Sequence, residues 1–471
     1  MNKMQVICLF LNLSLMPSHT FFTTRSFTTN PLYELANNNF EMNVIEKDKR
    51  GSWQFFLTPF YQKSTKGKNI GTFFMPNNKT CATFKEDGTG EIDSVWFGHI
   101  ANIGLNYSST ICLAPERSSI GVAFLLAFDL DKICKNLWLR INSTIVRNSN
   151  KPKFKEFDRK YNGIVSGIVN AYDGVCPKNI APINAFDYGN ICNCSSSKIG
   201  LDDIQIKLGY HECENKNLYA SLLIPTGTST TPYDLFQTFV GTKHWALGFG
   251  LNAYKNFWQT KNSCWNTAID CKFNYAFSAK ETRSFDLTNN GPWSRYLLVV
   301  KSDATSVTLP GINLLTTKAT ISPRYNFNLW SALHYEKNNF NCEAGYLFWY
   351  RAKEKIDKLA DIESNYGIAD LVGIIAGSAT SSNKAKISNG PVAPYAAASD
   401  ATFTSIKTAD LNACSAAHPS SLSNTFYASF GGKLENKCHK FEFNAGTSYE
   451  IGKSNTALSN WSLWLNTYFY F

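Results

Sequence analysis

The sequence lacks the features that identify a helical membrane protein, a nucleic-acid-binding protein or a familiar hydrolase. No segment approaches the roughly 20 apolar residues that a membrane-spanning helix needs. No run of lysine and arginine accompanies the net charge of +10, so we expect no nucleic-acid partner. The seven histidines form no H-E-x-x-H motif, and G-x-S-x-G does not occur. We therefore predict no catalytic residues and no enzyme activity.

The cysteines do not form a recognisable metal-binding pattern either. Cys192 and Cys194 form C-x-C, but no histidine lies close enough to complete a common zinc spacing. We predict no metal and no cofactor. Of the 13 cysteines, Cys8 lies near the N-terminus, and the even number that remains is compatible with disulfides in cysteine-containing loops. The sequence alone does not determine their pairing.

Aromatic residues, in contrast, are abundant. They make up 14% of the chain, although the mean hydropathy is slightly negative at −0.22. This combination is typical of a membrane β-barrel, whose lumen and loops are polar and whose rims carry aromatic girdles.

Apolar and polar residues alternate strictly in many segments, which is typical of half-buried strands. The segments 268–280 and 440–451 are the clearest. At roughly 3.3 Å per residue and a tilt of about 45°, strands of this length cross a thin outer membrane. The pattern predicts twelve strands, near 52–62, 119–130, 136–147, 201–211, 216–225, 243–257, 267–281, 322–336, 339–353, 424–434, 437–452 and 459–471.

The connections between these strands alternate between short and long, apart from a brief last one at 453–458. Short periplasmic turns and long external loops produce this alternation of connection lengths in a barrel, with both termini on the periplasmic side. A soluble sandwich does not require it and has shorter strands. We predict an all-β fold: a single antiparallel transmembrane β-barrel of about 12 strands (12 to 16) over residues 52–471.

The last predicted strand ends the chain on an aromatic residue, with apolar residues at most of the alternate positions before it. It resembles the terminal assembly signal of bacterial outer-membrane β-barrels. This resemblance implies a location in the outer membrane of a Gram-negative cell, contact with lipid and lipopolysaccharide, and insertion by the barrel-assembly machinery. The signal residues are Trp461, Leu463, Leu465, Phe469 and Phe471.

The N-terminus has the pattern of a secretory signal. Lys3 precedes an apolar segment from Met4 to Met16, and polar residues follow. We predict a signal peptide over 1–20 that is removed on export. Residues 21–51 then form an N-terminal tail or a plug inside the lumen.

Alternation also assigns charged side chains to the inner face of the barrel. Rings of charge are how pores select solutes, so these groups are candidates for solute contact. The alternative is that they cross-link the strands through the lumen, because buried charges need partners. We hypothesise that Arg140, Lys272 and Arg351 contact the solute. The full set of lumen-lining candidates is Arg140, Lys207, His244, Lys272, His334, Glu343, Arg351 and Glu442.

Two segments of the last long connection stand out. Residues 352–364 have a helix-forming composition with threefold apolar spacing, which predicts a helix. Residues 371–377 are apolar enough to pack against the barrel rim or to form a gate.

The segment Leu218–Thr228 is similar to a short sequence, covering one strand and the start of a loop, in barrels of the long-chain fatty acid and hydrocarbon transporter type. That family generally has more strands and an N-terminal plug. We predict a passive channel or transporter for small or amphipathic solutes. The alternative is a surface structural or adhesive protein that uses its barrel to anchor the loops near 63–118, 148–200 and 354–423.

Overall fold

Twelve long antiparallel strands form one continuous sheet in the computed structural model. The structure describes residues 18–36, 53–85, 89–94, 96–97, 107–160, 167–172, 185–213, 215–228, 231–302, 308–369, 385–388, 403–435, 440–453 and 456–470. The strands are β1 (Trp53–Ser64), β2 (Glu116–Asp129), β3 (Leu137–Lys151), β4 (Ile204–Cys213), β5 (Lys216–Ile224), β6 (Ala246–Gln259), β7 (Ser263–Ala276), β8 (Arg324–Lys337), β9 (Phe340–Arg351), β10 (Ser421–Glu435), β11 (Lys440–Lys453) and β12 (Asn460–Tyr470).

Each strand pairs with its neighbours in sequence, and β12 closes the sheet by pairing with β1. In that last pair Gln54 lies opposite Tyr470, and Ser64 lies opposite Asn460. Closure leaves no unpaired sheet edge, which is how up-and-down barrels avoid edge-to-edge association. The predicted all-β, twelve-stranded antiparallel barrel is confirmed.

The two ends of the barrel differ. We call the end where β1 begins and β12 ends the turn end; the brief connections 130–136, 260–262 and 338–339 lie there, and at this end β4 is followed by β5 and β10 by β11. We call the opposite end the loop end; it carries the connections 65–115, 152–203, 225–245, 277–323 and 352–420, together with 454–459.

The outer surface of the barrel is apolar and the inner surface is largely polar. In β12, Leu463 and Leu465 are 51% and 43% exposed, whereas Trp464 between them is 4% exposed. Trp461 and Phe469 are half-buried on the face that carries the two leucines, and Phe471 lies outside the described residues. Other strands expose large apolar side chains in the same way, including Ile120, Ile145, Leu208, Leu218, Phe249, Leu333, Phe426 and Phe443. A continuous exposed apolar surface of this extent matches a lipid-facing wall.

The connections at the loop end fold into a cap of small sheets. The first sheet contains, in spatial order, the strands Ile92–Asp93, Cys81–Lys85, Ser108–Leu113 and Phe154–Lys160. The second contains Ala279–Ser284, Thr316–Ser322 and Lys355–Leu359. The third contains Thr308–Pro310, Leu298–Lys301 and Tyr366–Ile368. Asp286–Leu287 pairs with Leu411–Asn412, and Ser196–Leu201 extends the barrel sheet beside β3.

The cap has its own apolar core, which includes the fully buried Trp96, Trp293 and Tyr296. Cys81 and Cys112 form a disulfide between two of its strands. In the described part of the chain, the α-helices are Pro31–Leu35, Gly67–Phe74, Ile168–Tyr172, Gly311–Leu314 and Ala413–Ala416, and 3₁₀ turns span Ser294–Tyr296 and Thr408–Asp410. None of the helices among the described residues is long and apolar enough to span a membrane.

Two sequence expectations need correction in this cap. The predicted helix over 352–364 is wrong: Lys355–Leu359 is a strand paired with Thr316–Ser322. Backbone pairing in the cap sheet and the packing of Ile356 against the cap core override the local helix preference. The strand predicted over 267–281 ends at Ala276, because the next residues leave the barrel for the cap.

Residues 18–36 begin in the cap and continue inside the barrel towards the turn end; we call them the lumen segment. In the cap, the His19 and Thr20 backbone N–H groups donate to the carbonyls of Phe73 and Ser415 at 3.0 and 2.9 Å. Near the turn end, the Ala36 carbonyl accepts from Asn466 Nδ2 at 2.9 Å. Three residues of the predicted signal peptide, 18–20, are therefore buried in the cap. The signal boundary stays a prediction, as does the assignment of 21–51 as tail or plug.

Candidate functional site

Seven of the eight predicted lumen-lining residues lie in barrel strands, on the side of the wall away from the exposed apolar surface, and His244 lies just before β6. Of all eight, Arg351 is half-buried and the others are buried. The alternation of side chains along a strand explains this result for the residues in strands, since successive residues point to opposite faces of the sheet. Whether these residues contact a solute remains a prediction, but their neighbours in the structure separate them into groups.

The first group surrounds Glu34 of the lumen segment. Lys207 Nζ contacts its carboxylate directly, and Arg140 Nη1 lies 3.7 Å from Glu34 Oε1. Lys272 also acts on this carboxylate electrostatically, and its Nζ donates to Gln205 Oε1 at 2.9 Å. The side chains of Arg140, Lys207 and Glu34 are only 0%, 1% and 3% exposed. Such deep burial is tolerated because the charges are opposite and close.

Aromatic rings hold the lumen segment beside this charged group. Phe27 and Tyr33 both stack on Phe60 of β1, with ring centroids 4.9 and 4.4 Å away. Tyr33 also meets Trp464 of β12 edge-on at 6.4 Å. Offset and edge-to-face pairs of this kind add to the apolar burial that they bring.

Polar contacts fix the segment nearer to the loop end. Asp202 accepts from Ser26 Oγ at 2.9 Å and from the Thr28 N–H at 3.0 Å. Asn142 Nδ2 donates to the Thr28 carbonyl at 2.9 Å. Burial raises the pKa of Asp202, which lies just outside β4. Arg25 pairs with Glu450 of β11 at 3.4 Å.

The remaining acidic and histidine candidates pair with each other or with neighbouring strands. His334 Nδ1 lies 3.4 Å from Glu343 Oε2, and Glu343 Oε1 accepts from the Tyr427 hydroxyl at 2.7 Å. Glu442 lies 3.7 Å from Lys433. These contacts match the alternative interpretation, in which inward charges cross-link the wall.

His244 belongs to a separate network under the cap. Its Nε2 lies 2.8 Å from Glu281 Oε1. Arg283 pairs with Glu281 at 2.8 Å and lies 3.6 Å from Glu354. The Arg283 guanidinium carbon is 3.1 Å from the ring centroid of Phe21, so this network also contacts the lumen segment.

A cavity that is partly open to solvent lies between the lumen segment and the loop-end halves of β5 to β9. Phe21, Leu223 and Trp349 give it an apolar wall. Arg351 also lines it, and two of its buried nitrogens, Nε and Nη2, have no hydrogen-bond partner. Among the described residues that line the cavity, Nη1 of Arg25 is likewise buried without a hydrogen-bond partner.

The sequence did not identify the lumen-segment residues that contact the wall, among them Arg25, Tyr33 and Glu34. They lie before the first strand, where no alternation assigns a face. The available signal was composition: residues 21–36 contain four aromatic rings, which a solvated tail does not need. The predicted gate at 371–377 lies outside the described residues.

Within the described part of the chain, no group of three or more histidine, cysteine, aspartate or glutamate residues is placed to hold a metal ion.

No protein-family profile and no curated protein matches the chain. Among solved structures, an outer-membrane channel from Pseudomonas putida F1 is 10% identical, with a TM-score of 0.38, over 90% of this chain and 96% of that one. A FadL homologue from Pseudomonas aeruginosa is 8% identical, with a TM-score of 0.28, over 89% and 88%. The CymD monoaromatic hydrocarbon channel is 8% identical, with a TM-score of 0.27, over 95% and 94%.

The chain is therefore weakly similar to outer-membrane channel barrels of the FadL-like kind. At these identities and TM-scores the likeness carries no argument about solute or mechanism.

Proposed function

We propose that the protein is an outer-membrane channel or transporter for small or amphipathic solutes. In this proposal the chain is exported with its signal peptide removed, and the barrel-assembly machinery inserts it among outer-membrane lipid and lipopolysaccharide. The observation that carries the proposal is the cavity at the loop end of a closed, lipid-facing barrel.

The walls of this cavity suit an amphipathic guest. An apolar part can pack against Phe21, Leu223 and Trp349, while a polar or anionic group can accept hydrogen bonds from Arg351. Pockets with an apolar lining and few polar groups bind and orient small molecules in this way. Below the cavity the lumen segment occupies the barrel, so passage requires this segment to move.

Uptake into proteoliposomes tests the proposal. Purified full-length protein is reconstituted, and the entry of radiolabelled benzoate, a small amphipathic anion, is compared with that of sucrose. We expect benzoate to enter faster than into protein-free liposomes, and sucrose to enter no faster. No protein-dependent entry of either solute, together with no conductance in a planar bilayer, contradicts a transport function.

The folded cap supports a second candidate, a surface structural or adhesive protein anchored by its barrel. Loops that only frame a pore do not need an apolar core of their own, and this cap has one together with a disulfide. Silent bilayers, combined with surface binding that is lost when the cap loops are shortened, would favour this candidate over the channel.

A further inference from the structure

We propose that Arg140, Lys207 and Lys272 form a binding site for small oxyanions in the lumen. In the closed barrel Glu34 occupies this site as a tethered carboxylate. The ligand class is a free carboxylate or phosphate of small size. The inference deepens the channel proposal, because the site becomes available to such a ligand only when the lumen segment moves.

The three cations reach one place from three different strands. Arg140 of β3 lies directly opposite Lys207 of β4 in the sheet register. Lys272 extends from β7 and donates to Gln205 of β4. Like charges directly opposite each other destabilise a sheet unless something neutralises them. An anion between these side chains would therefore stabilise the wall.

The wall itself supplies only part of the neutralising charge. Asp270 of β7 acts electrostatically on Lys272, and the Tyr219 hydroxyl donates to its carboxylate at 2.9 Å. Among the described residues, three cations thus face this one acid when Glu34 is not counted. An excess of two positive charges in a buried volume is strongly unfavourable, so a vacated site must take up an anion, hydrate or release a lysine proton.

Aromatic rings position two of the cations without neutralising them. The Arg140 guanidinium lies 5.4 Å from the Trp138 ring centroid, and Lys207 Nζ lies 4.7 Å from that of Tyr219. A fixed set of donors around a single acceptor position is the arrangement that recognises an oxyanion.

Glu34 belongs to the lumen segment and not to the wall. It is the only acidic residue between 18 and 36, and it lies on the short helix Pro31–Leu35, whose first turn is capped by the Asn30 side chain. Because the site's anion is carried on this separate segment, a free oxyanion competes with Glu34 for the same donors. Binding of the free anion then favours the open barrel by mass action.

The test uses full-length protein and inorganic phosphate as the probe. Glu34→Gln removes the tethered charge and keeps the shape, and Glu442→Gln is the matched control, because that lumen acid faces Lys433. We expect calorimetry in detergent to show phosphate binding to Glu34→Gln at least about tenfold tighter than to wild type or to the control. Adding Lys207→Gln to Glu34→Gln should abolish this binding.

In planar bilayers, Glu34→Gln should open more often than wild type, with a reversal potential shifted towards chloride. Phosphate should raise the opening of wild type several-fold. The charge exchange Glu34→Lys with Lys207→Glu should restore closure. Retained heat-modifiable migration on gels verifies that each variant is folded.

Equal, weak phosphate binding by wild type and Glu34→Gln overturns the anion site. Tight phosphate binding by Glu34→Gln without conductance in any variant supports the site and contradicts the channel function, so the two proposals fail separately.

Discussion

The middle of the lumen and the cavity at its loop end differ in whether their buried polar groups have hydrogen-bond or ion-pair partners. In the middle, Glu34 lies against Arg140 and Lys207, and Tyr33 stacks on Phe60. At the loop end, space remains beside the same lumen segment, and Arg351 has two buried nitrogens without a hydrogen-bond partner. Complementary charge and packing close the first region. The second keeps open space and buried donors without partners.

If the protein is a channel, this difference assigns opening of the barrel to the middle of the lumen and choice of solute to the cavity. Changes in the middle should alter whether the barrel is open, whereas changes in the cavity should alter which solute is held. A variant that affects both tasks equally would show that the two regions act as one.

Deleting residues 18–36 should have the largest effect. Without the lumen segment the barrel wall keeps its closed ladder of strands, but the interior loses the element that fills it. We expect single-channel conductance in planar bilayers to rise by about tenfold or more over wild type, since pore width governs ion passage. Unchanged conductance in a folded deletion variant would mean that another element closes the barrel.

Phe60→Ala should loosen the segment without removing it. This change deletes the ring on which both Phe27 and Tyr33 stack, and the loss of a buried ring costs about 3–5 kcal/mol. We expect hydrogen exchange of the backbone over 27–35 to accelerate strongly. Phe55→Ala, on the outward side of β1 against Phe469, is the matched control and should leave this exchange unchanged. Equal acceleration in both variants would assign the effect to the strand.

The barrel wall was predictable because a strand that separates lipid from lumen has apolar and polar residues at alternate positions, and this alternation is visible in the sequence. All twelve strands lie within a few residues of their predicted positions. The same parity assigned Arg140, Lys207 and Lys272 to the interior. It did not show that these three residues meet, since strand order around a barrel and the stagger of the strands fix that proximity.

The partners of these cations were not predictable by the same reasoning. The lumen segment has no periodic face, and its contacts join residues far apart in the chain, such as Arg25 and Glu450, which are 425 positions apart. Local propensity also failed in the cap, where Lys355–Leu359 forms a strand. Both cases depend on tertiary contacts that a single sequence does not encode locally.

Arg351→Gln should affect the cavity alone. The substitution removes the guanidinium that has no hydrogen-bond partner at its Nε and Nη2, and keeps a polar side chain. We expect proteoliposome uptake of benzoate to fall several-fold, while uptake of the neutral analogue benzyl alcohol is unchanged. Lys337→Gln, at the exposed turn end of β8, controls for the loss of one positive charge. An equal fall for both solutes would argue against a role for the charge.

Asp203→Asn should have the smallest effect, confined to the pH dependence of the junction between cap and lumen segment. Asp203 accepts from the Thr242 N–H at 3.0 Å and from its hydroxyl at 2.8 Å. Its neighbour Asp202 binds Ser26 and Thr28. Burial, followed by the charge of Asp202, raises the pKa of Asp203 from 3.8 to about 7, although the hydrogen bonds from Thr242 and, to a smaller extent, the nearby His244 oppose this.

Because this pKa is raised in the folded protein, the neutral carboxyl is the form that folding favours. The stability that it contributes is complete below pH 3.8 and is lost as the pH rises through about 7. We expect backbone exchange over 26–28, corrected for its intrinsic pH dependence, to show protection that falls between about pH 4 and about pH 7 in wild type. In Asp203→Asn, which has no titrating group there, the slope should be shallower. An unchanged slope in the variant would assign the titration to Asp202, and the pH response would then belong to the acid that holds the lumen segment directly.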